Sequence, residues 1–329
     1  MLTASFGLLV ACGGGDDGDD DTPPDYTKYS LNWGPVTVAP AQEDTQCVDL
    51  RLSNTEAIKV HQMHNILGPG SHHLIVYKND DPAAVERTTP YHCEPFRGAL
   101  NLSGMVAPVM ITQKPDDELT LPDGVAYTFA ANQMIRLEKH FINTTDDPIQ
   151  AMATSEFYAV APSEIRDEAN ILFIGSPDID LAPGETETLD QFFTPSRAQL
   201  DLTGAKFFAI TGHTHQYGRD MQVQIAASAG AAKTSVYAPV PFQWAEPETR
   251  THAPEFKMPE GASSGFGFQC KYTNTSGDNV GFGESANAEM CFFWAYYYPS
   301  KGSHVCFHSN NFGNLDICCP DAGPTLCNQ

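Results

Sequence analysis

The sequence has 329 residues, which is long enough for two domains of ordinary size. Its formal net charge is -23 and it has only 18 lysines and arginines, so it lacks the basic surface that nucleic acid or an anionic membrane would require. The charge favours solubility and says nothing about the fold.

The first 28 residues predict an export signal followed by a tether. The run from Phe6 to Ala11 is apolar but too short to span a bilayer. It ends in Leu-Val-Ala-Cys, which resembles a bacterial lipobox whose cysteine, here Cys12, is lipidated. The segment lacks the basic n-region of a signal peptide, so a cropped secretory signal with an incidental Cys12 is the alternative. Both interpretations predict export to the cell envelope, and the first adds a lipid anchor in the periplasm or outer membrane. Residues 13–26, rich in glycine and aspartate, predict a disordered acidic tether.

The cysteines are consistent with export. Without Cys12 an even number remains, which in an exported chain predicts disulfides; these are Cys47, Cys93, Cys270, Cys291, Cys306, Cys318, Cys319 and Cys327. No Cys-x-x-Cys pair occurs, which argues against a zinc ribbon or a thioredoxin-type site. The final four cysteines predict a disulfide-rich tail from about residue 303.

The body of the chain reads as short β-strands. Runs such as "SHHLIVYKND", "KFFAITGHTHQYG" and "MCFFWAYYYP" are rich in β-branched and aromatic residues and are separated by Gly, Pro, Asn and Asp. This pattern predicts an all-β chain of antiparallel sandwich type. The polar stretch "PSEIRDEAN" is the best candidate linker, so we expect one domain over 29–165 and a second over 166–329.

Several histidines stand out along these strands. Side chains alternate along a strand, so His213 and His215 project from one face and can chelate one metal. His72 and His73 are adjacent and should face opposite ways, unless a bulge or the use of different ring nitrogens brings both to one metal. His140 lies on the more polar face of its segment, which favours a ligand or a surface residue over a core residue. Any single strand histidine is more often structural than a ligand.

Methionine and cysteine are adjacent in "EMCFFWAYYYP". Met290 and Cys291 therefore point to opposite faces of a strand. Cys291 can form a disulfide behind the strand, with Cys270 as the nearest partner, while Met290 faces forward. Core packing is the alternative role for Met290.

These motifs, in this order, resemble the copper type II, ascorbate-dependent monooxygenases. The resemblance implies two tandem jelly-roll-like antiparallel β-sandwiches, each carrying one copper, with a solvent-filled cleft between the metals. It implies that His72, His73 and His140 bind the first copper, and that His213, His215 and Met290 bind the second, catalytic copper. It also implies the disulfides Cys47–Cys93 and Cys270–Cys291.

The resemblance further implies hydroxylation of a substrate C–H bond with O2, and ascorbate as the reductant. A thioether ligand is soft and favours Cu(I). Thr211 stands where the peptide-amidating branch has an arginine, and Trp294 where it has a tyrosine, which argues against a peptidylglycine substrate. "RLEKHFIN" is closer to the amine-hydroxylating branch. Phe292 and Trp294 share the face of Met290 and, with Thr211, are candidates for the wall of a small-molecule site, aromatic substrates included; core packing is the alternative for both rings.

Two rival functions remain open at this stage. The first is a non-catalytic copper-binding or copper-storage lipoprotein on the same scaffold. The second is a zinc hydrolase with one three-histidine site, which Met290 argues against because zinc rarely takes a thioether ligand.

Overall fold

The computed structural model describes residues 26–94 and 105–319, and these are almost entirely β-structure. The predicted tether with Cys12 and the last cysteine, Cys327, lie outside the described residues. In the described part of the chain there is no α-helix, and two 3-10 helices occur at Pro162–Glu164 and Pro195–Ala198. None of the helices within these limits is long and apolar enough to cross a membrane.

Eleven strands build the first half of the chain. They are β1 Thr27–Val38, β2 Glu43–Arg51, β3 Ile58–Leu67, β4 Ser71–Asn79, β5 Arg87–His92, β6 Val106–Thr112, β7 Asp116–Thr120, β8 Val125–Phe129, β9 Met134–Ile142, β10 Ile149–Val160 and β11 Asp167–Glu168. One sheet has the order β1-β10-β3-β8-β11, with β7 also paired to β3, and the other has the order β5-β2-β9-β4-β6.

Twelve strands build the second half. They are β12 Asn170–Ser176, β13 Asp180–Leu181, β14 Thr186–Phe193, β15 Lys206–His213, β16 Gly218–Ala226, β17 Thr234–Tyr237, β18 Thr249–Phe256, β19 Gly265–Thr273, β20 Val280–Gly281, β21 Cys291–Tyr298, β22 His304–Ser309 and β23 Leu315–Cys319. The larger sheet has the order β18-β15-β21-β12-β22-β23; the facing sheet has the order β14-β19-β16-β17, and β13 pairs with β20.

Strand β21 lies between the two halves and is buried along its whole length. One face, with Cys291, Phe293 and Tyr297, belongs to the core of the second sandwich. The other face, with Phe292 and Trp294, joins the apolar cluster of the first half. Burial on both faces explains why its sequence is a continuous aromatic run and not an alternating one.

The all-β sandwich prediction is confirmed. The sheets are antiparallel apart from two short parallel pairings, β11 with β8 and β12 with β22. The boundary at residue 165 stays a prediction; β11, just beyond it, pairs with β8 of the first half.

Both disulfides implied by the resemblance are present, Cys47–Cys93 and Cys270–Cys291. In the predicted tail, Cys306–Cys318 joins β22 to β23, and Cys319 is also disulfide-bonded. The tail therefore extends the large sheet of the second half by two strands.

Candidate metal centre

Five histidines from the two halves form one cluster. His72 is central: its ring centroid lies 5.2 Å from that of His73 and 5.1 Å from that of His140. The same ring lies 5.6 Å from His213 and 5.4 Å from His215. Every predicted histidine ligand is therefore part of a single group.

A break in strand pairing brings the two adjacent histidines together. β4 pairs with β9, and the register shifts between Ser71 and His73. His72 occupies the extra position, and His73 lies directly opposite His140. An extra residue in one strand turns a side chain that would otherwise face away, so both imidazoles reach the same cluster.

The second pair of histidines is placed by the end of a strand. β15 ends at His213, opposite Phe292 of β21, and His215 follows two residues later. The two rings stand perpendicular with centroids 5.1 Å apart. The two rings therefore lie close together, although His215 stands beyond the end of the strand.

The cluster contains two sets of potential ligand atoms, each within 4.8 Å of one another. One set is His72, His73 and His140, and the other is His72, His213 and His215. His72 is common to both. The resemblance implied a solvent-filled cleft between the two sets, but here the sets are in direct contact, because the two halves are closed against each other.

The cluster is buried, with exposed fractions between 1% and 6%. Burial, and after it the proximity of the other rings, holds the pKa values of His72, His73 and His213 well below the ordinary value. Burial lowers the pKa of His215 to about 4. These four rings are therefore neutral at physiological pH, which is the form that binds a metal.

Hydrogen bonds orient three of the rings. The carboxylate of Glu43 accepts a hydrogen bond from Nε2–H of His140 at 2.9 Å, which leaves Nδ1 free. The carbonyl of Ala288 accepts one from Nδ1–H of His215 at 3.1 Å. The side-chain amide of Gln113 accepts one from Nδ1–H of His213.

The imidazole nitrogens that make no hydrogen bond are suited to binding a metal. Nε2 of His72 and Nε2 of His213 are buried and have no hydrogen-bond partner among residues 26–94 and 105–319. Buried polar atoms are normally paired, and an unpaired imidazole nitrogen aimed into a cluster of others is explained by a bound ion. Neutral imidazoles with capped second nitrogens suit copper or zinc.

A buried carboxylate shapes the chain around the second pair. Glu289 is fully buried and accepts backbone N–H groups from His215 at 2.9 Å, Tyr217 at 2.6 Å and Met290 at 3.2 Å. Burial raises the pKa of Glu289 to about 7, against the effect of these donors. The hydrogen bonds of Glu289 thus connect the turn after His215 to the backbone of Met290.

Met290 lies just before β21 and is 2% exposed. Its carbonyl accepts a hydrogen bond from the Tyr272 hydroxyl at 2.8 Å. The pairing of β15 with β21 ends at His213 and Phe292, two residues before His215 and two residues after Met290. Its role as a ligand stays a prediction.

The three predicted wall residues are all buried. Thr211 donates a hydrogen bond to Thr249 at 2.8 Å. Phe292 and Trp294 both stack on Phe173, with centroids 4.9 and 5.9 Å away, and Trp294 is also 6.1 Å from His213. These stacking contacts favour the core alternative for both rings, and the substrate-wall role stays a prediction.

Another aromatic residue contacts the cluster from the loop between β17 and β18. The ring of Trp244 is half-buried, and its centroid lies 6.3 Å from that of His72. Trp244 therefore covers His72 at the edge of the centre.

Four residues around the cluster were not predicted from the sequence: Glu43, Gln113, Glu289 and Trp244. Only Glu289, a carboxylate beside the proposed methionine ligand, carried a local signal. Glu43 and Gln113 are single polar residues about 100 positions from the histidines they orient.

The third group of potential ligands is Cys47, Cys93 and Glu138. The two sulfur atoms are joined to each other in a disulfide. A disulfide has no thiolate to offer, so this group is not a metal site.

Fold and site together describe an all-β protein with a buried cluster of five histidines that could hold a metal ion. Residues 167–316 match the family model described as copper type II ascorbate-dependent monooxygenase, C-terminal domain. The match covers slightly less than half of the chain and includes His213, His215 and Met290. It supports a place in the copper type II ascorbate-dependent monooxygenase family.

No curated protein matches the chain in sequence. Among solved structures, the major capsid protein P2 of bacteriophage PM2 matches at 9% identity and a TM-score of 0.33, over 84% of this chain and all of that one. The cowpea mosaic virus top component matches at 9% identity and a TM-score of 0.32, over 84% of this chain and 90% of that one. These values are too low to support a conclusion about function.

Proposed function

We propose that the protein is a copper- and ascorbate-dependent monooxygenase that hydroxylates a C–H bond of a small organic substrate. The observation that carries the proposal is the pair His213 and His215, buried, neutral and oriented, within the segment that matches the family. Two coppers would be held, the first by His72, His73 and His140, and the second by His213, His215 and Met290.

Bound copper would supply O2 activation and one-electron transfer, which no side chain of the protein can supply. The protein's own contribution is to present free imidazole nitrogens in fixed directions. Glu43 fixes His140, Ala288 fixes His215, and Glu289 fixes the backbone between the second pair and Met290. Burial of the cluster excludes water, which protects a reactive centre from side reactions.

Met290 is the residue that favours oxidation chemistry over hydrolysis. A thioether is a soft donor that prefers Cu(I) and is a poor zinc ligand. The backbone of Met290 is held on one side by Glu289 and on the other by Tyr272.

Substrate would approach from the side of Trp244, since this aromatic residue contacts His72 and is only partly buried. The accessible part of its ring offers an apolar surface beside the centre, which suits small molecules with aromatic or apolar groups. The absence of a basic surface in the sequence argues against nucleic acid as a partner.

The function is tested on copper-loaded protein supplied with ascorbate and a panel of aromatic amines, phenols and short peptides. We expect two coppers per chain, O2 uptake that rises with substrate, and a product heavier by one oxygen atom. Copper binding without substrate-coupled O2 uptake across the panel would instead support the copper-storage function.

A matched pair of variants tests the second site. Met290→Leu removes the sulfur at nearly constant volume, so the loss of stability should stay below about 1.5 kcal/mol. We expect it to abolish hydroxylation while the three-histidine set still binds copper. Met63→Leu is the control, because Met63 is equally buried but lies in β3, which is not in the sheet that carries the histidines of the first half. Full turnover by Met290→Leu would refute the ligand assignment.

A separate variant tests the first site. His73→Ala removes one imidazole from the first set and none from the second. We expect slower re-reduction by ascorbate, seen in single-turnover kinetics, with copper retained at His213 and His215. An unchanged rate of reduction would contradict the assignment of electron delivery to this set.

We further propose that the chain is exported to the bacterial cell envelope and anchored there by a lipid on Cys12. Three disulfides among the described residues support an oxidising compartment. Mass spectrometry of the N-terminal peptide from the native host tests the anchor: a diacylglyceryl cysteine supports it, and an unmodified Cys12 contradicts it.

A further inference from the structure

Gln113 connects the two halves at the metal centre. It follows β6 of the first half and is 4% exposed. Its amide Nε2 donates a hydrogen bond to the carbonyl of Gly212 at 3.2 Å, and its Oε1 accepts one from Nδ1 of His213. One side chain of the first half therefore forms hydrogen bonds with two consecutive residues of the second half.

The chemistry of these contacts determines the positions of the polar hydrogens of Gln113 and His213. A backbone carbonyl can only accept, so the NH2 group of Gln113 must face Gly212. Oε1 then faces the imidazole, and a carbonyl oxygen accepts only from N–H. The proton of neutral His213 must therefore be on Nδ1, and the lone pair is on Nε2.

The free nitrogen is the one that faces the cluster. Nε2 of His213 is buried and has no hydrogen-bond partner within the described ranges. If the proton moved to Nε2, this atom would carry a hydrogen into the cluster and could not bind a metal. The tautomer thus decides whether His213 is a ligand.

The other histidine of the pair does not depend on the first half. His215 donates from Nδ1 to the carbonyl of Ala288, which belongs to its own half of the chain. Of the two histidines, only His213 has its tautomer determined by a residue of the first half.

We propose that Gln113 is a positioning residue that selects the metal-binding tautomer of His213 and thereby makes a competent second site conditional on contact between the two halves. The inference rests on the proposed function, because it takes His213 and His215 as ligands. Its direct consequence concerns the metal-free protein: separated from Gln113, His213 loses the partner that keeps its proton on Nδ1.

The first measurement is the tautomer of His213 in the metal-free full-length chain. Two-bond proton–nitrogen correlation spectra at neutral pH separate the two tautomers, and a His213→Asn spectrum assigns the signals. We expect the Nδ1–H form alone in the wild type, a mixture with the Nε2–H form in Gln113→Leu, and the Nδ1–H form again in Gln113→Glu. The carboxylate of Gln113→Glu still accepts from Nδ1–H but cannot donate to Gly212, so this variant isolates the contact to the ring.

The second measurement is Cu(I) affinity by anaerobic chelator competition, in a His73→Ala background that weakens the first site. Loss of an outer hydrogen bond to a ligand typically lowers metal affinity about 10–100-fold, and we expect a loss of this size for Gln113→Leu. Gln133→Leu is the matched control, since Gln133 is also a buried glutamine of the first half but bonds only within it. It should leave the tautomer and the affinity unchanged.

The result that overturns the inference is a pure Nδ1–H tautomer in Gln113→Leu, or a Cu(I) affinity within twofold of the parent. Loss of the Nδ1–H form in Gln113→Glu overturns it equally. Gln113→Asn, whose amide is one methylene too short, is measured in parallel in case the leucine variant does not fold. If the Gln113→Leu protein keeps the Nδ1–H tautomer and still hydroxylates substrate, the inference is wrong and the proposed function stands. If the tautomer shifts in Gln113→Leu but the wild type does not hydroxylate any substrate, the inference stands and the proposed function is wrong.

Discussion

Glu43 is a second residue of the first half that reaches across to the other, and its removal should loosen the closed centre. Its carboxylate accepts hydrogen bonds from His140 Nε2 at 2.9 Å, the Ala286 amide at 2.9 Å and the Ser285 hydroxyl at 3.2 Å. The hydrogen bond from His140 lowers the pKa of Glu43 to about 2, although burial acts in the opposite direction. The side chain is therefore ionised, and it connects a ligand of the first set to the loop that leads to Glu289.

The cost of removing this carboxylate follows from these bonds. A hydrogen bond to a charged group contributes about 1.5–3 kcal/mol net. The side chain is 22% exposed, so we take the lower value for the two 2.9 Å bonds and neglect the hydroxyl. Glu43→Ala should then destabilise the metal-free protein by about 3 kcal/mol. Copper affinity of the three-histidine set should also fall about 10–100-fold, since His140 loses its orienting partner.

Urea unfolding of the metal-free protein, followed by tryptophan fluorescence, measures the first quantity, and hydrogen exchange at Ala286 reports the local opening. Glu156→Ala is the control: Glu156 also accepts bonds from a lysine, a tyrosine and a histidine, but on the outer sheet away from the centre. We expect it to leave copper affinity and hydrogen exchange at Ala286 unchanged. A Glu43→Ala protein that unfolds within about 0.5 kcal/mol of wild type and binds copper normally would refute the reasoning, because surface changes of that size need no specific contact.

Three further predictions concern the scaffold. A Cβ at Gly212 would lie 2.5 Å from Sδ of Met221. Gly212→Ala should therefore lower the free energy of unfolding in urea by about 1–3 kcal/mol and weaken Cu(I) binding at the adjacent His213. An unchanged urea midpoint would contradict this packing. The Cys270–Cys291 disulfide closes a loop with a sequence separation of 21, so the double alanine variant should lose about 3 kcal/mol, a difference that should vanish when both proteins are reduced. Hydrogen bonds, chiefly from a lysine, lower the pKa of Glu156 from 4.5 to about 2, so its contribution is present above pH 4.5 and is lost as the pH falls towards 2. It should amount to less than about 1 kcal/mol, and Glu156→Gln should flatten that part of the pH–stability curve; a slope equal to that of wild type would disprove the link.

The local parts of this structure could be predicted from the sequence. Alternating aromatic and β-branched runs identified the strands, and His213 and His215, two residues apart, do have neighbouring rings. The alternation of side chains separated Cys291, which bonds to Cys270, from Met290 on the other face. Each of these conclusions depends on neighbours within a few residues, which the sequence records directly.

Contacts between residues far apart in the sequence could not be predicted in this way. Lys139 is a charged residue with 0% exposure, held by Ser71 and lying 5.7 Å over the ring of Trp33, and no pattern in its own strand indicates burial. Closure of the halves depends on long-range pairs such as Glu43 with Ala286, 243 positions apart. Such pairs are set by tertiary packing, so a sequence shows the individual residues but not the partners.

The depth of the histidine cluster has a consequence for how an ion enters. With at most 6% of any of the five rings accessible, ligand exchange with the medium cannot proceed while the halves stay shut. If copper binds there as proposed, its uptake and release would be limited by an opening of the cluster and not by the lability of copper–nitrogen bonds. A strong chelator should accordingly strip the ion at a rate that no longer rises once chelator is in excess, and that plateau measures how often the molecule opens.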